Sequence, residues 1–140
     1  MKTQSTSFCL LLLIMMTLIS CDPGVSYDKI IQNDSDHDIM LYVYRSSPDI
    51  GHYYISDSMK IGKHSQISVY HEGGIGSVDE YEDCSIYADS IKTRITDNDT
   101  LGLTLNLNNP INWMYSVLDK NYKHGGTCEC RAIINNEMIK

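Results

Sequence analysis

Beyond residue 26 apolar positions recur at every second residue, the period of half-buried strands. Residues 27–32 open the series. Asn33, Asp34, Ser35, Asp36, His37 and Asp38 then predict a turn, because short polar side chains bond their own backbone and tolerate unusual dihedrals. In 39–44, Ile39, Leu41 and Val43 share one face while Met40, Tyr42 and Tyr44 share the other, so the first two segments read as a hairpin. Ser46, Ser47, Pro48 and Asp49 break the pattern, and 52–55 is a short strand or an extended loop. Segment 65–71 alternates again, with Ile67 and Val69 inward, ahead of a glycine-rich loop at 73–76. In 85–95, Ile91, Thr93 and Ile95 oppose Lys92 and Arg94, and Asp97, Asn98 and Asp99 form the next turn. Leu101, Leu103, Leu105 and Leu107 then alternate with Gly102, Thr104 and Asn106. This is the sharpest alternation in the chain and predicts a central core strand, ended by Asn108, Asn109 and Pro110. Residues 113–118 fit a strand or a helical turn, and 127–134 the last strand before a polar tail. The one helical candidate, 77–83, is poor in apolar positions. Short strands spaced by turns predict an all-β fold, a single small antiparallel β-sandwich, immunoglobulin-like or similar, over residues 27–140.

The N-terminus follows another rule. Residues 8–19 are apolar throughout except Thr17, and Lys2 precedes them. A membrane-spanning helix needs about 20 such residues, so this run is too short to cross. It has the length of the apolar stretch of a secretory signal. It ends in Leu18-Ile19-Ser20-Cys21, which resembles the lipobox of bacterial lipoproteins. The resemblance implies a leader at 1–20, transfer of diacylglycerol to the Cys21 thiol, cleavage before Cys21 and acylation, by palmitate or a similar chain, of the freed amino group. Two or three acyl chains anchor stably where one is marginal. Residues 21–26 are then a lipidated tether, and the five that follow Cys21 reach at most about 17 Å.

Removing the leader leaves 120 residues, the size of one domain. Lys2 leaves with it, so ten basic and 18 acidic side chains remain, a net of −8. That charge argues against a nucleic-acid partner, whose phosphates require a basic face. It also argues against electrostatic adhesion to anionic lipid, so membrane attachment rests on the acyl chains. The aromatic set is ten Tyr, one Trp and one Phe, which suits half-buried strands.

A broader resemblance covers much of the chain. The lipobox leads quickly to a strand, an Asn-Asp-Ser-Asp turn and a tyrosine-bearing strand (residues 31–44), with a late Trp113 and a closing segment near Asn136, Glu137, Met138 and Ile139. This layout is similar to small lipoproteins of Bacteroidetes-type bacteria, most without an assigned function. The resemblance implies a cell-envelope location, in the outer membrane and facing the periplasm or the surface. Pro23 and Gly24 interrupt the acidic run after Cys21 that favours surface display in that group, which tilts the reading toward the periplasm. It also implies O-glycosylation at Ser58, Ser90 and Thr100, each between an Asp and an apolar residue.

Cys84, Cys128 and Cys130 follow the anchor, and an exported compartment permits disulfides. On a strand Cys128 and Cys130 share a face about 6.6 Å apart along it, too far to bond easily to each other. A bridge from Cys84 to either is favoured and leaves one thiol over. A redox pair or a three-thiolate zinc site is the competing reading, without the usual Cys-x-x-Cys signature. Asp34, Asp36 and Asp38 have the first spacing of a calcium loop, but Ile39 and Arg45 stand where Gly and Glu belong. His71 and Glu72 beside the glycines match no nucleophile or metal motif. No catalytic residue, cofactor or metal is expected. The sequence therefore points to a non-enzymatic, lipid-anchored envelope protein, a binding or accessory module for a protein or glycan partner. The alternatives are an accessory or immunity-type protein of a larger envelope assembly, or a small metal-dependent hydrolase.

Overall fold

The computed structural model describes residues 24–46, 53–78, 84, 90–120 and 125–140. Among them are seven strands: β1 (Gly24–Asn33), β2 (Ile39–Ser46), β3 (Tyr53–Ile61), β4 (Ser65–Ile75), β5 (Ser90–Ile95), β6 (Met114–Lys120) and β7 (Gly126–Ile134). They form a four-stranded sheet ordered β4-β1-β7-β6 and a three-stranded sheet ordered β3-β2-β5. The all-β sandwich expected from the period-two pattern is present. The helical candidate at 77–83 falls largely outside the described residues.

The core lies between the two sheets because each strand turns one set of alternate residues inward. Val25, Tyr27 and Ile31 from β1 and Cys128, Cys130, Ala132 and Ile134 from β7 meet Ile39 and Leu41 of β2, Ile61 of β3, and Ile91 and Ile95 of β5. Trp113, Leu107, Val78, Cys84 and Ile139 close its margins. Lys29 occupies an inward position of β1 among these apolar residues.

Three features depart from the expectation. The first two strands are not a hairpin, since β1 and β2 belong to different sheets and the turn between them crosses the sandwich. Buried polar groups hold that crossing. Asn33 donates through Nδ2 to His37 O and Gly62 O, at 2.7 and 3.0 Å. Its Oδ1 accepts from Ser35 Oγ at 2.6 Å, and Asp34 N donates to Ile134 O at 2.7 Å. Second, the sandwich is not wholly antiparallel. β1 runs parallel to β7 from Val25↔Gly126 to Asn33↔Ile134, while every other pairing is antiparallel. The immunoglobulin division, which sets the first two strands side by side, is therefore not adopted.

Third, the leucine alternation is not a strand. Residues 101–107 make only one isolated bridge, Leu103↔Ile139. Their backbone turns to the C-terminus: Gly102 and Lys140 exchange two hydrogen bonds of 2.7 and 3.0 Å, and Thr104 N donates to Met138 O at 2.8 Å. The period still has its effect, because Leu101, Leu103 and Leu105 pack against the core and Leu107 is buried within it. The C-terminal segment is correspondingly more than a polar tail, with Ile139 in the core.

Strand limits differ from the pattern where glycine conceals extended backbone. β1 begins at Gly24, so half of the expected tether is sheet, and β4 runs on through Gly73 and Gly74, paired with Ser26 and Val25. The β6 candidate is resolved as a strand. At its junction with β7, Gly126 has φ +145°, and a Cβ there would meet Asp119 O at 2.1 Å, so only glycine fits.

Candidate functional site

The turn that crosses the sandwich gathers polar side chains at one end of the molecule. Its three aspartates diverge. Both carboxylate oxygens of Asp34 accept from Gln32 Nε2, at 2.9 and 3.0 Å. Asp36 lies 3.0 Å from His64 Nε2 and accepts from Asn136 Nδ2 at 2.7 Å. Asp38 pairs with Lys60 Nζ at 2.6 Å and accepts from Lys63 N at 3.0 Å. The calcium spacing read in the sequence is thus spent on separate partners, Gln32 for Asp34, His64 and Asn136 for Asp36, and Lys60 and Lys63 for Asp38. Among the described residues no group of three or more His, Cys, Asp or Glu is placed to hold a metal ion.

Beside this turn Gln32, Asp34, His64, Ser65 and Gln66 line a polar hollow of about 230 Å³. Its walls are held in place. Arg131 Nη1 donates to Gln32 Oε1 and Gln66 Oε1 at 2.8 and 2.6 Å, which turns both amide nitrogens away from the guanidinium. Arg131 is itself fixed by a two-point contact with Glu129, at 2.8 and 3.0 Å. Glu129 raises the Arg131 pKa further by that hydrogen bond, and burial opposes it. His64 sits in the left-handed region, φ 53°, a conformation that costs a non-glycine residue energy and is held here by the Asp36 contact. The hollow is a preorganised set of donors and acceptors, able to bond hydroxyl, amide or ring oxygens of a small polar group.

The Asp36 and Asp38 carboxyls lie below their usual range. For Asp36 the hydrogen bond from Asn136 is the largest cause, followed by His64; for Asp38 it is Lys60, followed by the Lys63 backbone. A folded value below the unfolded 3.8 means that these groups stabilise the fold above that pH and lose the contribution as pH falls through their folded values. We expect the urea midpoint to drop on acidification below about pH 4. The Asp36→Asn, Asp38→Asn double variant should show a flatter dependence over the same range, and an unchanged slope would refute the assignment.

The other residues singled out by sequence fall as follows. Cys21 lies outside the described residues. Cys84 and Cys130 form a disulfide with a Cα–Cα distance of 5.7 Å. Cys128 is the thiol left over; it is buried and donates to Ser26 O at 3.5 Å. Burial pushes its pKa up, the hydrogen bond with Tyr115 opposes this, and Asp28 adds to it, so the thiol is inert rather than nucleophilic. The redox reading finds no support in that environment. Ser58 is exposed on edge strand β3, Thr100 is exposed with its hydroxyl on Asn98 Oδ1 at 2.7 Å, and Ser90 is half-buried at the start of β5. His71 is on β4, 3.0 Å from Asp28. His37 lies 3.2 Å from Asp97, while His52 and His124 lie outside the described residues.

Sequence reasoning missed Lys29, Arg131, Glu129 and Asn108. Lys29 Nζ donates to Cys84 O at 2.9 Å and sits 4.7 Å from the Trp113 ring centroid. A lysine at an inward position of a period-two segment was the available signal. Asn108 imitates a neighbouring strand: its amide accepts from Ile91 N at 2.6 Å and donates to Ile91 O at 2.9 Å. Next to it a groove of about 380 Å³ separates β5 from residues 103–108. Nothing in the local sequence announces these contacts.

Comparison with protein-family models, with curated proteins and with solved structures found no match.

Proposed function

We propose that this chain is a non-enzymatic, lipid-anchored protein of the bacterial cell envelope that carries a small sandwich as a binding or accessory module. The observation that carries the reading is Leu18-Ile19-Ser20-Cys21 behind an apolar run, with the first strand beginning only three residues later at Gly24. The short spacing holds the module against the membrane. Two observations support a binding role over chemistry. The imidazoles of His37, His64 and His71 each face an aspartate, and none is hydrogen-bonded to a serine, threonine or cysteine side chain of the kind a nucleophile needs. The Gln32–Gln66 hollow offers amide, carboxylate and imidazole groups, a mix of donors and acceptors suited to a hydroxyl-rich or amide-rich partner, a glycan or a protein loop.

Intact mass spectrometry of protein extracted from membranes tests the anchor. A chain beginning at Cys21 with added diacylglycerol and acyl mass is expected, and Cys21→Ala should carry no lipid mass and keep residues 1–20 attached. An unmodified mature chain, or a Cys21→Ala protein still cut before residue 21, overturns the reading.

A further inference from the structure

The polar hollow lies beside the turn that crosses the sandwich. The chain connections at this end, residues 34–38, 62–64, 96–100 and 135–140, are all described. Gln32 stands opposite Gln66 in the register of β1 with β4, and Asn33 opposite Ser65, so Asp34 and His64 follow at the two adjoining turns. Arg131 decides how the two amides point. A guanidinium only donates, so each carboxamide that accepts from Arg131 Nη1 turns its oxygen to the arginine and its nitrogen away. The Gln32 nitrogen is used by Asp34. Gln66 lines the hollow, and its nitrogen has no acceptor among the described residues.

Acceptors line the hollow beside that donor. The Asp34 carboxylate takes the Gln32 amide and forms no ion pair among the described residues. Ser65 Oγ donates to Gly62 O at 2.6 Å and keeps its lone pairs. His64 meets Asp36 through Nε2, which leaves Nδ1.

Charge narrows the ligand. An anion would meet the Asp34 carboxylate. A metal ion would need several carboxylate or imidazole ligands, and no such group occurs among the described residues. Arg131, within electrostatic reach of Asp34, also opposes a cation. A neutral polar group remains. A main-chain amide brings one donor and one acceptor, which serve Gln66 and a single oxygen of the wall. A pair of adjacent hydroxyls fits better, because each both donates and accepts. Such a pair accepts from Gln66 Nε2 and donates to Asp34 and Ser65. The hollow of about 230 Å³ falls below the roughly 300 Å³ at which sites for drug-sized ligands begin, so it takes one ring rather than a stretch of chain.

We infer that the hollow holds the terminal residue of a neutral glycan by two adjacent hydroxyls, with Gln66 Nε2 as donor and Asp34 as acceptor. This rests on the reading of the hollow as a binding site and names its ligand. It is independent of lipid on Cys21.

The test uses the full-length protein, labelled with nitrogen-15 and purified in a zwitterionic detergent that contains no sugar. It is titrated with the methyl glycosides of glucose, galactose and mannose, with glucuronate, and with N-acetylglycine N-methylamide as a main-chain amide. The side-chain amide signals of Gln32 and Gln66 are followed by NMR. The expected result is a saturable shift of both signals with at least one neutral glycoside and weaker binding of glucuronate. Asp34→Asn, which keeps the shape of the side chain, should weaken the glycoside by about tenfold or more, as for loss of a hydrogen bond to a charged group. Asp38→Asn, outside the hollow, should leave binding unchanged, and the remaining backbone signals report that each variant is folded. A shift with the main-chain amide and with no glycoside overturns the sugar and leaves the hollow a binding site. Glucuronate binding as tightly as the neutral glycosides, or glycoside binding untouched by Asp34→Asn, overturns the assigned contacts. No shift with any probe overturns both the ligand and the reading of the hollow as a binding site.

Discussion

Loss of the Cys84–Cys130 bridge is expected to lower the unfolding free energy by about 4 kcal/mol, the chain-entropy value for closing a loop of this length. The two cysteines are separated by 46 residues, so the bridge restricts the unfolded chain strongly. In the folded state it ties Cys84 to Cys130 within the core. That tie also places the Cys84 carbonyl over Lys29 Nζ. The effect should appear as a lower urea midpoint in reductant, and equally in the Cys84→Ala, Cys130→Ala double variant under oxidising conditions. Cys128 complicates single substitutions, because it shares the inward face of β7 with Cys130 and would offer a released Cys84 a second partner. Coincident oxidised and reduced curves would show that the bridge contributes nothing.

Trp113→Ala should cost about 3–5 kcal/mol, the range for truncating a large buried aromatic residue. The ring is buried beside Leu107 and covers Lys29 Nζ, and its Nε1 donates to Leu107 O at 3.0 Å. Trp113→Phe keeps most of the apolar mass but leaves the Leu107 carbonyl without its donor, a loss of about 1–3 kcal/mol. The order Ala below Phe below parent in denaturant midpoint is the expected reading. Lys29 gives this site its sensitivity. It is 1% exposed, and the Cys84 carbonyl and the Trp113 ring face lie against its ammonium. If the alanine variant loses less than the phenylalanine variant, the indole is not the cover for Lys29 described here.

Much of this architecture was legible in the chain. Alternation placed Ile39, Leu41 and Val43 on one face, as it did Ile91 and Ile95, and all five are buried. The polar run 33–38 was legible as a turn, and Cys84 as a partner of the 128–130 pair. What alternation does not encode is the neighbour of each strand. The four leucines from Leu101 to Leu107 showed a strand-like period and a buried face, yet their backbone bonds were taken by Met138 and Lys140 and by turns among the asparagines. Burial is a property of each side chain, whereas pairing is a competition among all extended segments. The polar hollow was hidden for the same reason, since Gln32, Gln66 and Arg131 are far apart in sequence and meet only through the parallel pairing of β1 with β7 and the antiparallel pairing of β1 with β4.

The sequence alone determined the alternation of buried and exposed positions, the turns at 33–38 and 97–99 and the lipobox signature at Cys21, because each is written in neighbouring residues. Only the tertiary structure decided that the chain crosses between sheets after Asn33 and that Cys130 rather than Cys128 takes Cys84. These outcomes depend on register between segments as much as a hundred residues apart. A two-residue shift in register leaves the inward and outward faces unchanged while changing every partner, so the local pattern cannot choose among them.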